Sequence, residues 1–474
     1  MRLTSVRAPA QEWVVATAFV TALFMSIMDS TIVTVALPSI ARDLGASIAS
    51  TGWVVVGYLL SLAVWIPATG WIGDRFGTKR TFLSALALFA VASALCGLAT
   101  TLDQLIAFRV LQGIGGGLLL PVGTAMLFRA FPPERRAQAA SIVIVPTTVA
   151  PALGPILGGV LVETVGWPGI FYVNVPIAAV TLVFGWLYLD EHREAQARRF
   201  DAVGFVLSAT AFPLVLFALV RAADLGWTSP VVLAAGGLGL LLGTALVWAE
   251  LRRADPLLDL RLLGERLFGL VNLASFFGFG SYIGLLYLMP LFLQEAHRAS
   301  PLESGLTTFP EAIGVILSSR VVARLYPRLG PRRLIAGGLV GTAAAMGLCA
   351  LIDDQTDLWL VRGLMFGAGV AMANVFLSIN AAAFARIAHA DMGHASAIFN
   401  AQRRLAAAAV VAVLATVLAS IAPALGAAGA HAGDLVPAFR VVFAINATMA
   451  LVGAIAALAI RDVDAADTMA REPG

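Results

Sequence analysis

Four stretches of this chain, residues 44–73, 137–162, 164–189 and 267–294, run for more than 25 positions without an Asp, Glu, Lys or Arg. A helix needs ~20 predominantly apolar residues to cross the hydrocarbon core of a bilayer, and each stretch is longer than that. The whole chain follows suit. Of its 474 residues 59% are hydrophobic and 12% charged, and the mean hydropathy is +0.89. A soluble domain carries about 25% charged residues, so this composition excludes a cytosolic enzyme, a secreted disulfide scaffold and a disordered chain. The net charge of +3 does not point to nucleic acid, because the basic residues sit in short clusters between apolar runs. The two cysteines, Cys96 and Cys349, lie in separate apolar runs and read as small core residues.

Splitting the chain at charge clusters and turn residues predicts an all-α polytopic membrane protein with fourteen transmembrane helices. They fall near 13–38, 51–73, 81–101, 105–128, 138–162, 170–189, 202–221, 231–249, 267–294, 304–324, 334–352, 358–385, 399–422 and 437–460. The first run is longer than a signal-peptide core and reads as a retained helix. With the N-terminus inside, 22 basic residues fall in cytoplasmic segments and three (Arg42, Arg221 and Arg298) in outer ones. That bias sets the orientation and places both termini in the cytoplasm.

One offset recurs. The loop 75–80 (Arg-Phe-Gly-Thr-Lys-Arg) matches 328–333 (Arg-Leu-Gly-Pro-Arg-Arg) at 253 residues, and the pairs Arg109–Arg362 and Cys96–Cys349 keep the same spacing. Each match falls at the same topological place in two sets of six helices. The expected organisation is therefore two parallel six-helix bundles, 1–200 and 261–474, with two inserted, peripheral helices at 201–260. Parallel repeats about the membrane normal mark one large class of secondary transporter.

Between the second and third predicted helices lies Gly70-Trp71-Ile72-Gly73-Asp74-Arg75-Phe76-Gly77-Thr78-Lys79-Arg80. The glycines allow a tight turn, and the charges can pair across the cytoplasmic face. A merely solvated basic loop would not require Gly-x-x-Gly-Asp-Arg-x-Gly. This stretch resembles the signature loop of the major facilitator superfamily. Three others resemble its fourteen-helix drug:proton antiporters: residues 28–38 (Met-Asp-Ser-Thr-Ile-Val-Thr-Val-Ala-Leu-Pro), 109–116 (Arg-Val-Leu-Gln-Gly-Ile-Gly-Gly) and 154–159 (Gly-Pro-Ile-Leu-Gly-Gly). The last is the motif associated with exporters, and residues 171–176 (Phe-Tyr-Val-Asn-Val-Pro) also fit. The chain departs from the pattern at Thr34, where Asn is usual, and at Pro168-Gly169. It departs again at 400–407, where Arg404 replaces Gln and Ala406 and Ala407 replace glycines.

The resemblance implies a proton-coupled exporter of hydrophobic drug-like compounds, cations among them, in the bacterial cytoplasmic membrane. It would have no cofactor beyond the proton gradient, no metal, no nucleic-acid partner and no enzymatic activity, and it is expected to be a monomer conferring antibiotic resistance. Ionisable groups inside a span are expensive and usually functional. Asp29 and Arg109 lie at similar depth, roughly 13 and 8 Å from the outer end at 1.5 Å per residue, so a pair is feasible. Burial strips solvation from a charged carboxylate and a neighbouring guanidinium restores some of it, a balance that suits a proton carrier; the bland alternative is structural neutralisation of Arg109. Glu311 is a second candidate for coupling, or a residue facing a wet outer vestibule. Arg362 reads as a structural mirror of Arg109. Gln112, Asn374 and Asn380 are candidates for the substrate cavity, with interhelical hydrogen bonds the alternative for the two asparagines. Gly154, Pro155, Gly158 and Gly159 would let their helix pack closely and bend. The five histidines fall in loops or helix ends and read as solvated.

No Gly-x-x-x-x-Gly-Lys-Ser/Thr loop, His-Glu-x-x-His or Gly-x-Ser-x-Gly is present, against an ATP-driven pump, a membrane protease or a lipase. The rivals are an exporter of one endogenous metabolite, siderophore or lipid, and a non-transporting membrane sensor.

Overall fold

The computed structural model describes residues 11–66, 68–131, 136–193, 201–253, 256, 259–388, 391–422 and 432–469. Among them every regular element is helical. The first half contains α1 (Gln11–Asp43), α2 (Ile48–Trp65), α3 (Thr69–Phe76), α4 (Thr78–Gly97), α5 (Leu102–Ala130), α6 (Arg136–Val165), α7 (Gly169–Tyr172) and α8 (Asn174–Tyr188). Then come α9 (Ala202–Leu225) and α10 (Pro230–Arg252). The second half holds α11 (Arg266–Leu291), α12 (Pro301–Thr308), α13 (Pro310–Cys349), α14 (Leu358–Ala382), α15 (Met392–Ile421), α16 (Ala432–Leu458) and the short α17 (Ala466–Met469).

Eleven stretches are long and apolar enough to cross a membrane, and two shorter apolar helices cover Ser50–Trp65 and Leu153–Val165. α13 adds one more pass, since it doubles back at Gly330, whose φ of 74° ends one arm and starts the next. The described residues therefore make the expected fourteen passes. Local chemistry sets several starts. Ser47, Thr101, Asp201, Ser300 and Asp357 each accept a backbone N–H of the helix they precede.

Three expected helices are each broken. The 51–73 segment divides into α2 and α3, 170–189 at Val173 into α7 and α8, and 304–324 at Phe309 into α12 and α13. In the second case Pro176 has no N–H to offer the Tyr172 carbonyl. The break puts Asn174 at the first turn of α8.

α1 packs along α6 and α8, α2 along α5, and α4 along α5 and α8; in the second half α13 packs along α14 and α16, and α11 along α15 and α16. α10 leans on α9, which leans on α15 and α2. Leu233, Leu240, Leu241 and Trp248 of α10 remain exposed, as lipid-facing side chains must. These two helices thus sit on the flank.

Candidate functional site

The first half encloses a polar cluster with no exposed atom surface. Asp29, Arg109, Gln112, Asn174 and Ser93 are each 0% exposed. Arg109 Nη1 donates to Asp29 Oδ2 at 2.6 Å, Gln112 Nε2 to Asp29 Oδ1 at 2.9 Å, and Asn174 Nδ2 to Asp29 Oδ1 at 2.7 Å. Arg109 Nη1 also donates to Gln112 Oε1 at 2.6 Å, and Arg109 Nε to the Val54 carbonyl at 3.1 Å. The guanidinium lies 4.0 Å over the Tyr58 ring. Asn174 Nδ2 reaches Ser93 Oγ at 3.1 Å, and Ser93 Oγ donates to the Phe171 carbonyl at 2.8 Å. Five helices, α1, α2, α4, α5 and α8, thereby converge on one carboxylate. On α1 the nearby hydroxyls turn back on their own helix: Ser30, Thr31 and Thr34 donate to the Ile27, Met28 and Thr31 carbonyls. Apolar surroundings leave them no other acceptor.

Asn174, Ser93 and Tyr58 were not singled out from the sequence. They are neutral, and only the fold shows that the Phe171–Pro176 stretch delivers an amide to Asp29. Gln112 corrects an expectation. It is sealed inside the cluster, not on a cavity wall, because it bridges Arg109 and Asp29.

Asn374 and Asn380 turn back on their own helix. Each donates its amide to a carbonyl four residues back on α14, Val370 and Phe376 at 2.9 and 2.7 Å, so neither makes an interhelical bond. Asn374 lines an apolar groove of about 540 Å³ walled by α13 and α14 alone, within the second half. Glu311 is 2% exposed and buried beside Tyr282, not in an open vestibule; Gly369 of α14 packs against its backbone. Arg362 is half-buried and stacks on Trp359 at 4.5 Å. His297, expected in solvent, is half-buried and bonded to the Thr356 carbonyl at 2.8 Å. Cys96 and Cys349 are buried free thiols.

The exporter-type stretch on α6 forms close contacts. Gly154 and Gly158 lie against Thr31 and Ile32 of α1. A Cβ on Gly159 would stand 2.5 Å from Leu302 Cα and 2.7 Å from the Pro301 carbonyl, so only glycine lets α6 and α12 meet there. Gly305 of α12 sits against the Pro155 carbonyl. Polar links between the halves gather at the same end: Leu302 N–H to Glu163 Oε1 at 2.9 Å, Gln294 Nε2 to the Val35 carbonyl at 2.9 Å, and Arg42 with Glu295 at 3.9 Å. These contacts close this end of the molecule.

At the opposite end, Gly70, Gly73, Asp74 and Arg75 lie on α3; what Gly70 and Asp74 touch falls outside the described residues. Gly77 turns the chain with φ 98°. The Glu191 carboxylate accepts the Lys79 and Arg80 backbone N–H groups at 3.0 and 3.2 Å, capping α4. Lys79 Nζ donates to the Leu189 and Trp186 carbonyls at the end of α8. These basic groups staple α4 to α8 within one half.

A two-bundle helical membrane protein, closed at one face and with an ion pair sealed inside one bundle, is a transporter. The Major Facilitator Superfamily model matches residues 19–411, and the chain belongs to that superfamily. Among curated relatives, the protein named "Putative multidrug resistance protein MdtD" of Klebsiella pneumoniae is 36% identical over 372 residues, 78% of each chain. Its namesake in Pectobacterium atrosepticum is 34% identical over 374 residues, again 78% of each. Among solved structures, a POT family transporter in complex with 5-aminolevulinic acid aligns with a TM-score of 0.69 at 15% identity, covering 93% of this chain and 94% of that one. The nucleoside transporter NupG aligns at 0.65 and 13%, covering 95% and 99%. These two likenesses show the fold.

Proposed function

We propose that this chain is a proton-driven exporter of hydrophobic drug-like compounds, working by alternating access in the bacterial cytoplasmic membrane, with Asp29 as its proton carrier. The observation that carries the reading is the sealed Asp29–Arg109 pair. Every side chain bonded to Asp29 is a donor, so a proton arriving there removes the negative charge that strengthens all three bonds. The donors belong to α5 and α8, and protonation therefore loosens α1 from both. The glycines of α6 close on the same helix two to three residues further along, which links proton occupancy to the outer closure. Arg109 acts as a positioning residue, and Glu311 stands as the second acid available to the cycle. Export needs no covalent chemistry and no cofactor, only the proton gradient, and one chain contains both bundles. Both termini face the cytoplasm in this reading. The substrate class rests on the names of the relatives.

Purified protein in liposomes with an imposed pH gradient tests this, using cationic, neutral and anionic fluorescent compounds. The wild type is expected to move substrate only while the gradient stands. Asp29→Asn, which keeps size but carries no titratable proton, is expected to stop driven transport while melting like the wild type. Near-wild-type transport by folded Asp29→Asn would move the role to Glu311. Resistance to many compounds in an efflux-deficient bacterium supports drug export, and protection against one compound supports a dedicated metabolite exporter.

A further inference from the structure

Arg403 and Arg404 stand side by side on α15, eleven and twelve residues after its start at Met392. α15 has 30 residues, about 45 Å at 1.5 Å per residue, so a ~30 Å core centred on it puts the pair roughly 10 Å inside the hydrocarbon. Arg403 is boxed by aromatic rings: its guanidinium lies 4.3 Å from the Phe279 centroid, 5.4 Å from Phe399 and 5.5 Å from Phe376. Phe279 and Phe376 also pack on Tyr282, which lies beside Glu311. Arg404 lies within electrostatic reach of Tyr58 of the other half, the ring on which Arg109 stacks. Among the described residues neither arginine makes an ion pair or a hydrogen bond, and the charge that acts on Arg403 is Arg404 itself. Beside them, both polar atoms of the Gln402 amide are buried without a partner.

Two adjacent cations inside the hydrocarbon, with no described carboxylate paired to them, repel each other and face a medium that solvates them poorly. Ring faces soften this but carry no net negative charge. Arg109, by contrast, has Asp29. No described residue supplies the counter-charge, which leaves a bound anion to do so.

From this geometry we propose that Arg403, Arg404 and Gln402 bind the acidic group of an amphipathic substrate whose apolar or aromatic body lies against Phe279, Phe376 and Phe399. The inference rests on the export reading and names its substrate class: an aromatic or apolar organic anion. Exchange of a monoanion for one proton moves two charges in the same electrical sense, whereas exchange of a monocation for one proton moves none. Transport should therefore quicken with an inside-negative potential.

Binding is measured without a gradient on purified protein in phosphatidylcholine nanodiscs, using naphthalene-2-carboxylate, its neutral amide and 2-(aminomethyl)naphthalene as probes. The wild type is expected to prefer the carboxylate. Arg403→Gln and Arg404→Gln should each weaken the carboxylate about tenfold, the loss of one charge-assisted contact, and leave the amide unchanged. Arg403→Lys should restore part of the preference. Preference for the amine, or equal weakening of all three probes in folded variants, would overturn the assignment. So would competition by phosphatidylglycerol in place of the small anion, which would make a lipid phosphate the ligand. The preference must persist in Asp29→Asn, where driven transport is expected to be lost. A failed coupling experiment with intact anion selectivity thus counts against the proton reading alone.

Discussion

Offset by 253 residues, Ser93, Cys96, Arg109 and Gln112 of the first half correspond to Met346, Cys349, Arg362 and Met365 of the second, and Asp29 corresponds to Ser281 at 252. The two positions use the same helices differently. Asp29 on α1 takes hydrogen bonds from Arg109, Gln112 and Asn174. Ser281 on α11 donates to the Asn446 carbonyl at 2.9 Å and meets Met346 Sδ at 3.3 Å, while Asn446 Nδ2 returns a bond to the Ser281 carbonyl at 3.0 Å. A first helix is thus latched to a sixth in both halves, with an asparagine each time. Only one latch contains a charge. The neutral latch needs no guanidinium, and Arg362 is left to stack on Trp359. A well-packed neutral latch performs the structural task, so retention of a buried ion pair in the other half points to work that needs a proton.

The comparison breaks most sharply if the latches are exchanged. Asp29→Ser, which copies Ser281, is expected to reduce gradient-driven transport to background. Ser281→Ala should leave coupling in place and cost about 1 kcal/mol of stability, the usual worth of one buried hydrogen bond. Transport against an imposed gradient, with melting of each purified variant, checks both. Comparable loss from the two substitutions would mean that the halves do not divide the work this way.

The next effect is on the meeting of the halves. Gly159→Leu sets a branched side chain where a bare Cβ would already touch the Leu302 backbone. The outer face should fail to close, shifting the population toward outward-open states. Longer spin-label distances between the α6 and α12 ends would show it, with slowed transport; unchanged distances would put the seal elsewhere.

Much of this was readable beforehand, for identifiable reasons. The fourteen passes follow from charge-free runs, and the repeat was visible because turn glycines and intramembrane arginines tolerate few replacements. The Asp29–Arg109 pair was foreseen from depth alone, since two opposite charges in hydrocarbon have few other partners. Neutral members escaped. Asn174 and Ser93 look like any interhelical polar residue, and Gln112, although its i+3 spacing puts it on the face of Arg109, was placed on a cavity wall because a sequence does not tell whether that face is open or sealed. Glu191, more than a hundred residues from the loop it caps, carries no local mark of that role.

Third comes the arginine pair. Arg109→Gln removes the cation bonded to Asp29, so the transport–pH profile is expected to move for every substrate alike. Arg362→Gln should leave the profile in place. Arg109→Lys is expected to recover part of the shift, since Lys supplies charge without the planar fork. A loss confined to one substrate, with no movement of the profile, would make Arg109 a substrate anchor.

The smallest expected effect concerns the feature that the halves share most closely. Gly77 (φ 98°) and Gly330 (φ 74°) turn corresponding loops. Each faces an acid that follows the sixth helix of its own half, and that acid caps the next helix: Glu191 bonds the Lys79 and Arg80 N–H groups, and Asp462 the Arg332 N–H at 3.0 Å. A Cβ at either glycine would press on that carboxylate as well as strain a left-handed backbone. Gly77→Ala and Gly330→Ala should each cost about 1–3 kcal/mol, the penalty for an L-residue held at positive φ and extended ψ, a region essentially confined to glycine. Glu191→Gln and Asp462→Asn keep an acceptor but lose the charge that favours a helix N-terminus, and should cost less, about 0.3–1 kcal/mol each. Melting of the four purified variants in one detergent measures this directly. Equal pairs would show that the two caps are one device used twice, independent of the charge that separates the latches. A large difference between Gly77→Ala and Gly330→Ala would extend the division of labour to the cytoplasmic loops, and would make the first-half loop part of the moving machinery.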